Sequence, residues 1–215
     1  MKHIITSIIL LNCYLLHAQK TYVPDNNFEQ ALIDAGYDDA LDDSVLTATI
    51  SAVSSLYLEN KNISDLTGIE DFSNLSYLRA YNNALTSIDI SNNTLLTYLH
   101  LDNTDLTSLD VSNNTLLTNL YLNNNDLTTM DVSSNDSLTH LSLESNSLAS
   151  ITGLSNNTSL VYLRLKNNEL TSLDLSGCTS LRDPSVYGNN LSSLDLTGCT
   201  EMVQLSAHNN ELTTL

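Results

Sequence analysis

The sequence predicts a right-handed solenoid with one short parallel strand per row, and three observations lead to it. From Val53 onward the chain falls into rows that begin at Val53, Leu75, Leu96, Leu117, Leu138, Leu160, Leu181 and Met202, each 21 or 22 residues after the one before. Within each row leucines alternate with polar residues, and a column of asparagines follows the alternation. Tryptophan is absent and only 6 glycines and 2 prolines occur in 215 residues, so one short motif is written many times.

The row Leu117-x-x-Leu120-x-Leu122-x-x-Asn125-x-Leu127 is representative and carries the leucine-rich-repeat signature. Its x-Leu-x-Leu-x stretch has period two, which makes a short strand with the leucines turned inward. Stacked strands form a parallel sheet that rises ~4.8 Å per row. Asn83, Asn125, Asn146, Asn168, Asn189 and Asn210 share the column where the chain turns away. An amide there can both donate to and accept from freed backbone groups, which predicts a structural ladder. Lys61 and Thr104 interrupt it. Ile63, Leu85, Leu106, Leu127, Leu148, Leu170, Leu191 and Leu212 fill the core from the returning segment. No row can bury its apolar face alone, so each depends on its neighbours. About 21 residues leave no room for a full helix, and the convex side is expected to be extended or 3₁₀.

The two ends differ from the array. Residues 1–18 read as a secretory signal peptide: Lys2 is basic, Ile4 to Leu16 is almost wholly apolar, and Ala18 supplies a cleavage point. The apolar run is too short for a membrane span. Cys13 raises lipidation as an alternative, but Leu11-Asn12 before it fits poorly. Residues 19–52 form a small N-terminal helical cap, in which Asp25 caps a helix through Phe28, Ala31 and Leu32 that ends at Gly36. Asp38-Asp39 and Asp42-Asp43 lack the EF-hand pattern and are expected to form a solvated acidic loop, not a calcium site. Residues 53–215 are the repeats, about eight rows. The last row stops after fourteen residues with Met202, Leu205, Ala207 and Leu212 at an open edge, so the chain is expected to be a fragment.

Charge excludes whole classes of partner. The formal net charge is −18, and loss of Lys2 leaves six basic residues against 25 acidic ones. Such a chain repels phosphate backbones and anionic lipids, which argues against nucleic acid and against membrane insertion. Cys178 and Cys199 are too few for a disulfide scaffold. They hold the same place in adjacent rows and are expected to be small buried residues, a strained bridge being the alternative.

Candidate binding residues lie on the inner face, in three columns that flank the strand leucines. Tyr57, Tyr77, Arg79, Tyr81, Tyr98, His100, Asp102, Tyr121, Tyr162, Arg164, Lys166 and Tyr187 stand there. Seven of the ten tyrosines are in that set, which matters because tyrosine and arginine anchor interfaces. The first four rows are richest. Carbohydrate stacking on the same rings is a variant, and a tyrosine ladder that merely packs across rows is the structural alternative. Catalysis has little support. His140 lies two rows from His100, roughly 10 Å, too far to share a metal, and no nucleophile–base pair emerges. Neither an enzyme, a cofactor nor a metal is expected. On the outer side Asp89, Asp110, Asp131, Asp174 and Asp195 form a column of like charge. Each can accept from backbone amides of the turn that follows, which is preferred over calcium.

Several segments resemble known repeats. Leu66-Thr67-Gly68-Ile69 with Phe72-x-x-Leu75, and Ile151-Thr152-Gly153-Leu154, resemble internalin repeats. Leu173-Asp174-Leu175-Ser176-Gly177-Cys178-Thr179 resembles repeats of exported leucine-rich-repeat proteins of the Bacteroidetes, as does the entry Tyr22-Val23-Pro24-Asp25-x-x-Phe28-Glu29. Asp43-Ser44-Val45 and Asp136-Ser137-Leu138 resemble the O-glycosylation site of that phylum. The resemblance implies a secreted or cell-surface protein whose concave face binds protein or glycan in adhesion. A passive stalk that presents a further C-terminal domain is the other reading.

Overall fold

The computed structural model describes residues 18–213, so all but Ala18 of the expected signal peptide lies outside the described residues. The chain enters through a strand, β1 (Lys20–Tyr22), and a helix, α1 (Asn26–Asp34), then β2 (Ser44–Leu46) and the single turn α2 (Thr47–Ile50). β1 and β2 pair antiparallel, with Thr21 opposite Val45. The cap is therefore not purely helical as the sequence suggested, and its β-branched Thr21 and Val45 supply the added strand pair.

The inner sheet stacks β3 (Ser55–Tyr57), β4 (Tyr77–Arg79), β5 (Tyr98–His100), β6 (Asn119–Tyr121), β8 (His140–Ser142) and β10 (Tyr162–Arg164). All pairs are parallel and in register, so Leu56, Leu78, Leu99, Leu120, Leu141 and Leu163 form one column. Beyond β10 the ladder thins to bridges between Arg164 and Ser185 and between Ser185 and Ser206. Pro184 stands in that seventh row at the leucine position and has no N–H to give the next row. On the convex side β7 (Thr129–Asp131) pairs with β9 (Ser150–Thr152). Single 3₁₀ turns, Ile69–Asp71 and Leu154–Asn156, follow left-handed Gly68 and Gly153. A Cβ on Gly153 would lie 2.3 Å from the backbone nitrogen of Ser133, so only glycine fits.

Two ladders of side-chain amides tie the rows together. Asn125 Nδ2 donates to Leu122 O of its own row (3.1 Å) and to Leu101 O of the row before (2.9 Å). Its Oδ1 accepts from Leu106 N at 3.1 Å. Asn83, Asn146, Asn168, Asn189 and Asn210 repeat that pattern. Thr104 has only a hydroxyl, which reaches Leu101 O and Asn125 Oδ1 but no carbonyl of the preceding row. The residue before each ladder position turns left-handed: Asn82, Asn103, Asn124, Ser145, Asn167 and Asn209 have φ between 51° and 56°, and Gly188 has φ 67°. Asparagine tolerates that region because its side chain bonds locally, which accounts for the Asn-Asn doublets.

The second ladder, on the convex side, escaped the sequence reading. Asn93, Asn114, Asn135 and Asn157 are fully buried. Asn114 Nδ2 donates to Ile90 O and Asn93 O of the preceding row, both at 3.0 Å, and Asn135 continues the series. Cys178 and Cys199 then take over the column, their thiols donating to Leu154 O (3.3 Å) and Leu175 O (3.5 Å). Both are free and buried. Burial pushes the Cys178 thiol up to about 12, so it stays a neutral donor.

The first row gives both ladder positions to the cap. Phe72 stands where later rows have asparagine and meets Phe28 of α1 at 6.3 Å. Lys61 Nζ reaches Asp34 at 3.2 Å. Asp25 joins the two parts directly. One oxygen accepts from Asn27 N and Phe28 N, and the other accepts from Ser64 N, Ser64 Oγ and Asp65 N. Buried Glu29 accepts from Asp42 N and Ser44 N, so the acidic loop is tied to the helix and is not simply solvated.

In the outer column Asp89, Asp110, Asp131, Asp174 and Asp195 each accept from the backbone amide two residues on. Bonds from the hydroxyl and amide of Ser112, Ser133, Ser176 and Thr197 hold the last four carboxyls below the ordinary range. Such bonds favour the ionised form in the fold.

Three outcomes follow. Leu122 is fully buried, and Leu122→Ala should cost roughly 2–5 kcal/mol through the cavity it leaves, read by chemical denaturation. Ser145 holds the left-handed position without an amide (φ 56°), and Ser145→Asn should raise stability by about 0.5–1 kcal/mol. The outer aspartates have depressed values, so their contribution is complete above the unfolded carboxyl pKa of about 3.9 and disappears as pH falls through the folded values. The Tm gap between parent and an Asp110→Ala/Asp131→Ala variant should therefore narrow from pH 6 to pH 3; a constant gap would contradict the bonding described.

Candidate concave-face recognition site

The strand alternation that buries the leucines turns the intervening side chains outward, and register places them in columns one row apart. Across the first four rows the rings meet. Tyr57 lies 5.6 Å from Tyr77, Tyr77 stacks on Tyr98 at 4.2 Å and 12°, and Tyr98 lies 5.5 Å from Tyr121. His100 joins the stack 5.2 Å from Tyr121 and 4.6 Å from Tyr81. Burial and the neighbouring Tyr77 hydroxyl raise the Tyr98 phenol, which stays protonated.

Arg79 sits between two of these rings, 5.9 Å from Tyr57 and 5.2 Å from Tyr81, a cation–π arrangement. It also donates to Tyr81 Oη at 2.9 Å and pairs with Glu59 at 3.3 Å. His100 Nε2 is 3.0 Å from Asp102, whose oxygens also accept from Asn123 N and Nδ2. Asn123 Oδ1 in turn accepts from Ser142 Oγ and Glu144 N, so Asp102, Asn123 and Glu144 of three successive rows form one polar chain. Lys166 pairs with Glu144 at 2.7 Å, a contact that raises the lysine.

Eight of the twelve residues named from the sequence, from Tyr57 to Tyr121, therefore share one patch. The other four stand outside its ring stack. Tyr162 stacks on His140 at 4.5 Å, and Tyr187 on His208 at 4.4 Å. Lys166 is taken by Glu144, and Arg164 turns its Nη1 to Leu163 O and Asp183 O. Glu59, Asn123 and Glu144 were not among the twelve; for Glu59 and Glu144 an opposite charge in the next row was the available signal, while neutral Asn123 gave none. The result is a face on which Arg79 and Lys166 are each paired with a carboxylate, within a chain of net charge −18. Among the described residues no group of three His, Cys, Asp or Glu side chains is placed to hold a metal.

No protein-family model and no curated protein matches the sequence. Solved structures do. The functional domain of InlJ from Listeria monocytogenes, which includes a cysteine ladder, is 29% identical with a TM-score of 0.70, over 92% of this chain and 49% of that one. Internalin InlF from the same species is 25% identical with a TM-score of 0.81, over 90% and 59%. The leucine-rich-repeat ectodomain of the receptor kinase GASSHO1/SCHENGEN3 from Arabidopsis thaliana, in complex with Casparian strip integrity factor 2, is 25% identical with a TM-score of 0.61, over 68% and 20%. The chain spans about half the length of the first two of these proteins. With its parallel inner sheet of rows 21 or 22 residues long, the chain has the leucine-rich-repeat fold and is similar in it to these Listeria internalins.

Proposed function

We propose that the chain is a protein-binding module that acts outside the cell in adhesion or recognition, with the aromatic patch of the first four rows as its contact surface. The observation that carries this is the tyrosine stack from Tyr57 to Tyr121 with Arg79 clamped beside it. Rings already stacked and cations already paired lose little freedom on contact, and side-chain ordering is a main cost of association. Tyrosine and arginine are also the residues that dominate interface energetics. The receptor ectodomain in complex with its factor supports protein as the partner class. The basic and apolar start of the chain supports export. His100 and Asp102 are read as part of the contact surface, not as catalysts.

The stack also supports the fold, so the test separates the two roles. Tyr77→Ala/Tyr98→Ala/Tyr121→Ala should lower stability modestly, about 0.5–1.5 kcal/mol per stacked pair lost. It should weaken partner binding by about 2 kcal/mol or more per anchor, some thirtyfold each. A convex variant, Ser112→Ala/Ser133→Ala/Ser176→Ala, should bind as the parent does. Binding would be read on an array of extracellular protein domains, with circular dichroism as the folding control. An array on which the parent finds nothing, or on which the tyrosine variant binds unchanged, supports a passive stalk instead.

A further inference from the structure

The inner sheet changes character after β10. Pro184 interrupts the ladder, and in two of the inner columns the seventh and eighth rows carry polar side chains without rings. Ser185 and Ser206 continue the column of Tyr57 and Tyr121, while Asp183 and Gln204 continue that of Tyr77 and Tyr98. A hollow of about 390 Å³ opens there, lined by Arg164, Asp183, Pro184, Ser185, Gln204 and Ser206. That volume lies within the ~300–1,000 Å³ of small-ligand pockets.

We infer that this hollow is a binding subsite for a neutral saccharide, separate from the aromatic patch. Its chemistry is balanced. Arg164, unlike Arg79 and Lys166, has no carboxylate within ion-pair distance; its Nη1 is held by Leu163 O and Asp183 O. The guanidinium plane is thereby fixed while its other N–H groups stay available. Asp183 contributes an acceptor, Gln204 an amide that donates and accepts, and the two serines hydroxyls that do both. Vicinal hydroxyls of a sugar need such a mixture, because each must exchange a water partner for another in both senses. Tyr162, in the column that Asp183 continues, is 40% exposed and covered by His140 on one face. It offers ring surface to the apolar face of a sugar.

The same features disfavour other ligands. A protein hot spot requires a pocket for an aromatic or aliphatic anchor, and the hollow has only Pro184 to offer. An anionic ligand would meet Asp183 and the acidic chain around it. A neutral polyol meets neither obstacle.

The test uses the parent chain and three variants on an array of immobilised neutral hexose and N-acetylhexosamine oligosaccharides, with sialylated and sulfated ones alongside. Ser206→Tyr should fill the hollow in a column that already holds tyrosine in two other rows, and should abolish retention. Asp183→Asn removes an ionic acceptor and should weaken it by about tenfold. Tyr77→Ala/Tyr98→Ala/Tyr121→Ala should retain the glycan, which keeps this result independent of the protein-contact reading. Circular dichroism and melting confirm that each variant folds. The proposal is overturned if the parent retains no neutral glycan, if Ser206→Tyr binds as the parent does, or if only the tyrosine variant loses the glycan. Preference for sulfated or sialylated glycans, strengthened by Asp183→Asn, would mark an anion site and overturn it equally.

Discussion

Everything in this solenoid depends on how a row of 21 or 22 residues disposes of backbone groups that its turns bring inside. Buried peptide groups without partners are costly, and short strands supply too few bonds to satisfy them all. Asparagine side chains do the rest by bonding two rows at once. The two ladders make different demands. The one beyond the strand uses donor and acceptor together, and its rungs are asparagine in six rows. The convex one uses only the donor, and the oxygens of Asn93, Asn114, Asn135 and Asn157 have no partner among the described residues. A thiol can therefore stand in. Cys178 and Cys199 give a weaker bond but bury no unpaired oxygen.

The ladder logic also explains the entry. A first row has no row before it, so its rung positions are released for other uses. Lys61 and Phe72 occupy them and face Asp34 and Phe28 of the cap. Asp25 serves both sides with one carboxylate, capping α1 and holding the turn at Ser64. Cap and array are thus a single hydrogen-bonded unit, with an apolar seal where later rows are polar.

Much of this was legible in the sequence because its period is short and strict. Leucine alternation gives the inner strands, and the column from Asn83 to Asn210 has one residue type at one offset in every row but that of Thr104. The convex ladder was equally periodic, in Asn93, Asn114 and Asn135, but it falls within a Ser-x-Asn turn where asparagine already has a local explanation. The cap strands were hidden because Lys20–Tyr22 and Ser44–Leu46 occur once each, with no repeat in other rows to mark them. On the concave face the columns could be written from the sequence, yet the pairings across them could not. Whether Arg164 meets an acid or a carbonyl depends on side-chain reach, and the loosening of the seventh row follows from one Pro184 that breaks no pattern of polarity.

Thr104 gives the array a mechanical character. Its row lacks the rung that elsewhere staples a carbonyl of the row before, so the joint between the second and third rows is the most compliant on that rim. The tightest ring contact on the inner face, Tyr77 against Tyr98, crosses the same joint and braces it from the other side. In a quasi-one-dimensional stack each joint bends and opens largely on its own. A ligand that gripped those two rings would act as a splint across that one joint and leave the others as they were.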